Sequence, residues 1–326
     1  MKILTFLVTG GSGFIGSSLV DTLLSLGHKV INIDNMNDYY DASIKFGNIK
    51  QARLNPNYHF FQKDICDFDE IDKVFAQTKI DFIIHLAARA GVRPSIDNPI
   101  LYQNTNCLGT NIIFELAKKY GINKIISASS SSVYGNNIKT PFSETDIVDY
   151  AISPYAATKK ANEVMGHVYH SLYGIDMIFH RFFTVYGPRQ RPDLAIYKFV
   201  DLIEKGIPIQ MFGDGSSSRD YTFIDDIVEG IISSINYLFK HNNVFEIINL
   251  GNCNPISLFE LIQSIQKALG KKAKIIKMPM QPGDVNATYA NIDKAKRILG
   301  FEPKTSFSIG LKKFVDWYRK NQEDFK

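Results

Sequence analysis

The sequence predicts an α/β fold in which helices cover both faces of a doubly wound parallel sheet. In the first half of the 326-residue chain, short β-branched apolar runs alternate with longer amphipathic stretches. The apolar runs are nearly continuous, as expected of strands that are buried on both faces. A glycine cluster follows the first run directly and opens the first amphipathic stretch. Right-handed crossovers between such strands produce the doubly wound arrangement.

The elements follow one another in order along the chain. Predicted strands cover residues 3–9, 29–33, 59–63, 82–86, 124–129 and 176–182, and predicted helices cover residues 13–26, 69–77, 101–120 and 154–173. Beyond residue 183, prolines separate shorter elements, and the apolar run at 244–250 indicates a strand that returns to the main sheet. We therefore predict a first domain over residues 1–183, to which residues 221–250 return, and a smaller lobe over residues 184–220 and 251–326.

Composition, charge and cysteine content exclude several classes of protein. The hydrophobic share of 45% and the charged share of 21% are typical of a globular protein. A formal charge of +4 is too small to indicate a nucleic acid or a membrane surface as partner, and no apolar run approaches the ~20 residues of a membrane span. Cys66, Cys107 and Cys253 lie far apart without metal-ligand spacing. We expect a cytoplasmic protein with buried, unpaired thiols and no metal site.

A glycine loop at the end of the first predicted strand indicates a dinucleotide-binding site. Residues 9–16 read Thr-Gly-Gly-Ser-Gly-Phe-Ile-Gly, with glycines at positions 10, 13 and 16. Glycine allows the backbone to approach a pyrophosphate closely, and the N-terminus of the following helix supplies N–H groups and the positive end of its dipole. The sequence therefore predicts that the first domain is a Rossmann domain.

An aspartate at the end of the second predicted strand indicates which dinucleotide binds. Asp34 lies 18 residues after Gly16, where a carboxylate can accept hydrogen bonds from an adenosine ribose. The same carboxylate would repel a 2′-phosphate, so NAD is favoured over NADP. Asp34 could instead be a plain turn residue. Asp64, after the third strand, could contact the adenine or cap a helix.

A tyrosine, a lysine and a serine cluster indicate acid–base chemistry. Tyr155 and Lys159 lie four residues apart, on one face of a predicted helix. A cation near a phenol favours the phenolate, so the pair can act as a base near neutral pH. For this spacing alone, a surface helix with a snorkelling lysine is the alternative. Serines 129–132 end the fifth predicted strand at the sheet edge where α/β folds bind ligands. We expect one of them to share a proton network with Tyr155.

Several motifs make the chain resemble the extended short-chain dehydrogenases/reductases, and among them the nucleotide-diphosphate-sugar epimerases. These motifs lie at residues 9–16, 85–88, 130–135, 155–159, 181–188 and 219–226. The segments at 34–41, 90–95, 155–163, 187–193 and 280–285 are most similar to those of UDP-glucuronate 4-epimerases. The resemblance covers essentially the whole chain. It implies NAD as cofactor, a UDP-sugar as substrate, and a homodimer formed by helices around residues 101–120 and 154–173.

The resemblance also implies roles for individual residues. The catalytic residues would be Ser130, Tyr155 and Lys159. The cofactor would be bound by Gly10, Gly13, Phe14, Ile15, Gly16, Asp34, Asn35, Asp64, Ile65, Leu86, Ala87, Ala88, Asn106, Tyr155 and Lys159. The substrate would be bound by Arg93, Ser130, Thr184, Arg189, Arg191, Arg219 and Asp284. Within that set, Arg219 is expected at the diphosphate and Asp284 at the uridine ribose.

Departures from the family pattern narrow the expected reaction. Ser131 and Ser132 stand where the 4,6-dehydratases have Asp-Glu, and related decarboxylases carry a glutamate at the second of these positions. Galactose-type epimerases have asparagine in place of Thr184 and arginine in place of Gln281. We therefore expect a 4-epimerase that converts UDP-glucuronate to UDP-galacturonate through a 4-keto intermediate. A 4-epimerase of UDP-glucose or UDP-N-acetylglucosamine, and a non-catalytic nucleotide-sensing protein, are the alternatives.

Three arginines are candidates to grip the sugar carboxylate that this substrate would carry. A guanidinium can hold a carboxylate through two parallel hydrogen bonds. The candidates are Arg93, Arg189 and Arg191. Plain surface positions in polar loops explain Arg93 and Arg189 equally well.

Overall fold

The structure is a computed structural model that describes residues 3–279 and 287–324. Its strands are β1 (Thr5–Thr9), β2 (Lys29–Ile33), β3 (Tyr58–Phe61), β4 (Phe82–His85), β5 (Lys124–Ser130), β6 (Asp176–Phe182), β7 (Thr184–Tyr186), β8 (Ile209–Phe212), β9 (Ser218–Phe223), β10 (Phe245–Leu250), β11 (Pro255–Ser257) and β12 (Ile275–Met278). Its helices are α1 (Phe14–Ser25), α2 (Ala42–Ile49), α3 (Phe68–Gln77), α4 (Val92–Asp97), α5 (Pro99–Tyr102), α6 (Gly109–Lys119), α7 (Pro154–Tyr173), α8 (Ala195–Glu204), α9 (Ile224–Lys240), α10 (Leu258–Leu269), α11 (Asp293–Leu299) and α12 (Phe307–Asp324).

A seven-stranded parallel sheet forms the centre of the described part of the chain, in the order β10-β6-β5-β4-β1-β2-β3. The chain runs outward from β1 to β3, returns to β4 on the other side of β1, and then continues outward to β6. The two directions of winding confirm the predicted doubly wound α/β fold. The last strand in the order, β10, comes from later in the chain and pairs with β6 over all six of its residues.

Two hydrophobic cores lie on the two faces of this sheet, because successive side chains of a strand point to opposite faces. In β1, Phe6 and Val8 face one core, and Leu7 faces the other. Helices α1 and α9 pack on the first face and α3, α6 and α7 on the second. Burial on both faces explains why the strands have continuous apolar sequences.

Shorter strands form two small sheets beside the main one. The order of the first is β11-β9-β7, and the second pairs β12 with β8. Helices α8, α10 and α12 pack together next to these strands and share the larger core. The lobe and domain boundaries given above stay a prediction.

Some local expectations were wrong. The predicted helix over 101–120 begins earlier, at Pro99, and contains a π-helical segment, Gln103–Leu108, between α5 and α6. Helices α2 and α4 had not been predicted. Of the three free thiols only Cys107 is buried; Cys66 is half-buried and Cys253 is exposed, so the expectation of buried thiols holds for one. Among the described residues, no helix is long and apolar enough to span a bilayer.

Candidate active site

A deep cleft of about 380 Å³ opens at the carboxyl edge of the main sheet. The glycine loop after β1, the ends of β4 and β5, the first turns of α7 and the β6–β7 connection all contribute to its walls. This edge is where doubly wound sheets bind their ligands, because the chain diverges there to opposite faces of the sheet.

The glycine loop is built for close backbone packing. Gly10 has a φ of +72°, and a Cβ at this position would lie 2.8 Å from the backbone nitrogen of Ala87. A Cβ at Gly16 would lie 2.2 Å from the carbonyl oxygen of Gly10. Gly13 precedes the first residue of α1, and no side chain caps this helix end. The loop therefore leaves the start of α1 open to the cleft, as a bound diphosphate requires.

Asp34 follows β2 directly and lines the same cleft. One of its carboxylate oxygens accepts a hydrogen bond from the Ser12 N–H at 3.2 Å and the other from the Met36 N–H at 3.0 Å. The Nζ of Lys45, which is also buried, lies 3.8 Å from the carboxylate. These contacts hold the carboxylate beside the glycine loop and restrain its rotation.

The other residues expected to bind the cofactor fall into two groups. Phe14, Ile15, Asn35, Ile65, Leu86, Ala87 and Ala88 line the cleft. Asp64 is exposed and lies between Lys63 and Ile65, which line the cleft; it accepts hydrogen bonds from the Asn35 side chain at 2.8 Å and the Cys66 N–H at 2.9 Å. Its observed contacts are thus those of a turn that supports Asn35.

Asn106 lies in the π-helical segment and is fully buried. Its side chain accepts a hydrogen bond from the Arg89 N–H at 2.8 Å and donates to the Arg89 carbonyl at 3.0 Å. It also donates to the Thr158 hydroxyl at 3.0 Å. Asn106 therefore joins the loop after β4 to α7 from behind the cleft wall.

Tyr155 and Lys159 lie in the first turns of α7, which the sequence starts sharply. Ser153 caps the helix by accepting a hydrogen bond from the Ala156 N–H, and Pro154 occupies the first helical position. The Tyr155 ring makes an edge-on contact with the Tyr102 ring, with centroids 6.3 Å apart. The Lys159 Nζ lies 6.0 Å from the centre of the Tyr155 ring and donates to the Ala128 carbonyl at 2.7 Å.

Burial controls the proton affinities of this pair. Loss of solvation raises the pKa of Tyr155, although a hydrogen bond with Ser130 works in the opposite direction. Loss of solvation also lowers the pKa of Lys159 to about 8. In the protein alone the net shift of the phenol's pKa is therefore opposite to the expected lowering, because removal from water outweighs the groups that favour the phenolate. The pKa values of the two groups, about 10 and 10.4 in water, are therefore farther apart in the folded protein, where Lys159 loses its proton before Tyr155.

Ser130 ends β5 and reaches the cleft together with Ser131, Ser132 and Thr184. The Ser130 hydroxyl accepts a hydrogen bond from the Ser132 N–H at 3.1 Å. The structure thus brings Ser130, Tyr155 and Lys159 together at one end of the cleft, with the glycine loop at the other.

Of the three arginines that are candidates to bind the sugar carboxylate, Arg191 lies in the wall of the cleft and Arg93 and Arg189 do not. Arg191 lines the cleft; it makes two hydrogen bonds of 2.9 Å with Asp193 and lies 5.5 Å from the centre of the Tyr39 ring. Arg189 is paired with Asp21 at 2.7 Å, and Arg93 lies 5.6 Å from the centre of the Phe212 ring.

The two remaining substrate candidates lie farther along the chain. Arg219 is in β9 and donates a hydrogen bond to the Ser218 carbonyl at 2.8 Å. Asp284, like Gln281, lies outside the described residues.

Sequence reasoning had missed several residues of the cleft wall: Tyr39, Tyr40, Lys45 and Arg89. The guanidinium groups of Arg89 and Arg191 both lie over the Tyr39 ring, at 5.9 and 5.5 Å. The Asp34–Tyr40 stretch, rich in asparagine and tyrosine, was the available signal. No group of histidine, cysteine, aspartate or glutamate side chains in residues 3–279 and 287–324 could hold a metal ion.

A glycine loop on a doubly wound sheet, facing a serine, a tyrosine and a lysine across one cleft, defines an extended short-chain dehydrogenase/reductase, as predicted. Residues 7–314 match the family model described as GDP-mannose 4,6 dehydratase. This match covers most of the chain, which therefore belongs to that family.

Three proteins to which the whole chain is similar are described as nucleotide-sugar 4-epimerases. The chain is 44% identical over 319 residues to a UDP-glucuronate 4-epimerase of Thermodesulfobacterium geofontis, covering 98% of this chain and 97% of the relative. The fold of this chain matches that of a UDP-glucuronic acid 4-epimerase of Bacillus cereus, which was solved with UDP-glucuronic acid and NAD. The TM-score is 0.91 and the identity is 36%, over 97% of this chain and 99% of the solved one. A UDP-glucose 4-epimerase of Thermotoga maritima, solved with UDP-glucose, matches with a TM-score of 0.89 and 33% identity over 98% and 100%.

Proposed function

We propose that this protein is an NAD-dependent 4-epimerase that interconverts UDP-glucuronate and UDP-galacturonate. The observation that carries the proposal is the position of Ser130, Tyr155 and Lys159 at one end of a cleft whose other end is the glycine loop and Asp34. The similarity to UDP-glucuronate 4-epimerases over almost the full length supports the choice of substrate.

The cleft fits NAD. The start of α1, open beside Gly13, would hold the diphosphate, and Asp34 would accept hydrogen bonds from the adenosine ribose hydroxyls. The carboxylate of Asp34 leaves no favourable position for a 2′-phosphate. When bound, NAD supplies the reversible acceptance of the C4 hydride that inversion of this carbon requires.

The chain's own residues move the proton. Tyr155 takes the proton of the C4 hydroxyl as the C4–H bond breaks, which leaves a 4-keto sugar, and returns the proton when the bond reforms on the other face. Ser130 orients the hydroxyl and hydrogen-bonds with the phenol. Lys159 stabilises the phenolate because the two groups are four residues apart on one helix face.

A 4-keto glucuronate is a β-keto acid and can lose carbon dioxide. The site must therefore hold the carboxylate so that its bond to C5 is poorly aligned with the new carbonyl. Arg191 is the candidate arginine that lines the cleft, and its guanidinium already makes two hydrogen bonds with the carboxylate of Asp193. Ser131 and Ser132 offer no carboxyl group at the end of β5, where dehydration or decarboxylation would need one.

We also propose that the protein is a cytoplasmic homodimer. Apolar side chains of α7 and of the π-helical segment are exposed in the single chain: Leu108, Val164, Val168 and Leu172. A second copy packed against α7 would cover them. Light scattering coupled to gel filtration tests this directly, since a monomer at micromolar concentration would contradict it.

Incubation of the purified protein with UDP-glucuronate, followed by separation of the products, tests the reaction. UDP-galacturonate as the product supports the proposal, whereas a UDP-pentose would identify a decarboxylase instead. Parallel incubations with UDP-glucose and UDP-N-acetylglucosamine test the alternative substrates. If the protein retains NAD but converts none of the three sugars, the alternative of a non-catalytic nucleotide-binding protein is favoured.

A further inference from the structure

We propose that Glu163 is a positioning residue of this reaction, which together with Arg181 holds Ser129, and so the neighbouring Ser130, in register with Tyr155 and Lys159. The inference rests on the proposed function. Glu163 and Arg181 are not among the residues that line the cleft, and in that proposal they bind neither substrate nor cofactor; Ser129 lies in the cleft wall beside Ser130.

The first argument is a one-to-one match between the end of β5 and one face of α7. Tyr155, Lys159 and Glu163 follow one another at intervals of four residues, so they lie along one face of the helix. Each contacts a different one of three consecutive strand residues. Tyr155 lies close enough to Ser130 for that hydroxyl to lower the pKa of the phenol, the Lys159 Nζ donates to the Ala128 carbonyl at 2.7 Å, and Glu163 accepts from the Ser129 hydroxyl at 2.6 Å.

The second argument is the rigidity of the Glu163 carboxylate. Arg181 donates two hydrogen bonds to it, each of 2.8 Å, and both side chains are 1% exposed. Arg181 lies in β6 directly opposite Ser129 of β5 in the sheet register. The guanidinium also packs 4.8 Å from the centre of the Tyr134 ring. Two parallel hydrogen bonds between a buried guanidinium and a buried carboxylate fix the orientation of both groups. The Ser129 hydroxyl donates to one oxygen of this carboxylate.

The third argument is that a buried ion pair such as Glu163–Arg181 contributes little to the free energy of folding. Two charges removed from water regain little more than their desolvation cost, and apolar side chains of similar volume often serve the fold equally well. A buried pair of fixed geometry does define the relative position of two elements. Here those elements carry the serine and the tyrosine of the active site, and a shift of about 1 Å between such groups can lower turnover roughly 100-fold.

Ser129→Ala is the sharpest test, because it removes one hydroxyl and leaves the ion pair in place. We expect kcat to fall by about 5- to 100-fold, with the KM for UDP-glucuronate within about twofold of wild type. Ser127→Ala is the matched control: Ser127 is buried in the same strand, and within the described residues its hydroxyl has no hydrogen-bond partner. We expect this control to keep the wild-type kcat.

Charge variants give a readout that a purely structural role would not produce. Arg181→Met removes the close partner of the Glu163 anion and leaves only Lys160 at 3.9 Å, which favours protonation nearby, so the acid limb of the kcat–pH profile should move to higher pH. Glu163→Gln leaves the Arg181 cation unpaired, so the limb should move to lower pH. The other titratable or charged groups near the Tyr155–Glu163 part of α7 are Tyr39, Tyr102, Tyr134, His85, Cys107, Lys159, Lys160 and Arg191; they remain in place in both variants.

The outcomes separate the possibilities. A wild-type protein without 4-epimerase activity would overturn the proposed function and this inference with it. An active wild type with an equally active Ser129→Ala variant would overturn the positioning role alone. If the charge variants do not fold, the double variant Glu163→Leu/Arg181→Met replaces them. A folded double variant with wild-type kcat would also refute the role, and a folded one with a strongly reduced kcat and unchanged KM would support it.

Discussion

Gly16→Ala should abolish NAD binding and also destabilise the fold. The added Cβ would lie 2.2 Å from the carbonyl oxygen of Gly10 and 2.7 Å from the Cα of Gly11, whereas ordinary contacts begin at 3.4 Å. The loop must therefore move by about 1.2 Å. The Gly10 carbonyl also accepts the hydrogen bond of the Gly13 N–H at 3.1 Å, so the movement distorts the start of α1 where the diphosphate would bind.

Overpacking of a tight site costs about 1–3 kcal/mol, which corresponds to a fall in Tm of several degrees for a chain of this size. The loss of NAD binding is a separate effect and can be measured separately. In the wild type, NAD at 100 times its Kd stabilises the fold by about 2.7 kcal/mol and raises Tm. We expect this rise to disappear in Gly16→Ala.

Thermal unfolding by circular dichroism, with and without added NAD, measures both effects in one experiment. Gly47→Ala is the matched control: Gly47 lies within α2, and a Cβ there would meet no atom within 4 Å. Because alanine favours a helix by roughly 1 kcal/mol over glycine, this variant should be as stable as the wild type or more so and should keep the NAD-dependent rise. A Gly16→Ala protein with the full rise would refute the assignment of the diphosphate to this loop.

Three further substitutions test the catalytic end of the cleft. Tyr155→Phe should lower kcat by about 10²- to 10⁴-fold with little change in Tm, as measured by product analysis and circular dichroism; an unchanged kcat would eliminate the proposed base. Lys159→Met removes the cation that favours the phenolate, so the acid limb of the kcat–pH profile should move to higher pH, and a limb at the wild-type position would count against this role. Arg219→Ala should raise the KM for UDP-glucuronate about 10- to 100-fold, since a charge-assisted hydrogen bond to the diphosphate is worth about 1.5–3 kcal/mol; an unaltered KM would show that Arg219 does not contact the diphosphate.

The sequence predicted those parts of the molecule that depend on local pattern. The strands at 29–33 and 176–182 and the helix at 154–173 have the expected bounds, because apolar runs and the Ser153-Pro154 start are strong local signals. The π-helical segment was missed because no spacing in the sequence indicates its wider turn, in which Asn106 is hydrogen-bonded to Arg89 and Thr158.

In the candidate site, too, the features that depend on local sequence pattern were predicted and those that depend on tertiary packing were not. Glycine spacing and the Tyr155–Lys159 interval pointed to two groups of residues that the structure brings to the walls of one cleft. The contact of Lys45 with Asp34, and that of Glu163 with Arg181, could not be predicted, because isolated charged residues in a sequence are usually exposed. The direction of the Tyr155 pKa shift was also missed, since it depends on how completely the folded chain removes the ring from water.

The pairing of β10 with β6 affects how the protein can be synthesised. While the ribosome is still adding residues beyond β6, the nascent sheet ends in an uncovered strand whose backbone groups can pair with any neighbouring chain. Only when Phe245–Leu250 emerges does the sheet acquire its last strand. A polypeptide cut shortly after β6 should therefore aggregate or depend on chaperones, and genetic splitting of this protein would have to keep both strands in one piece.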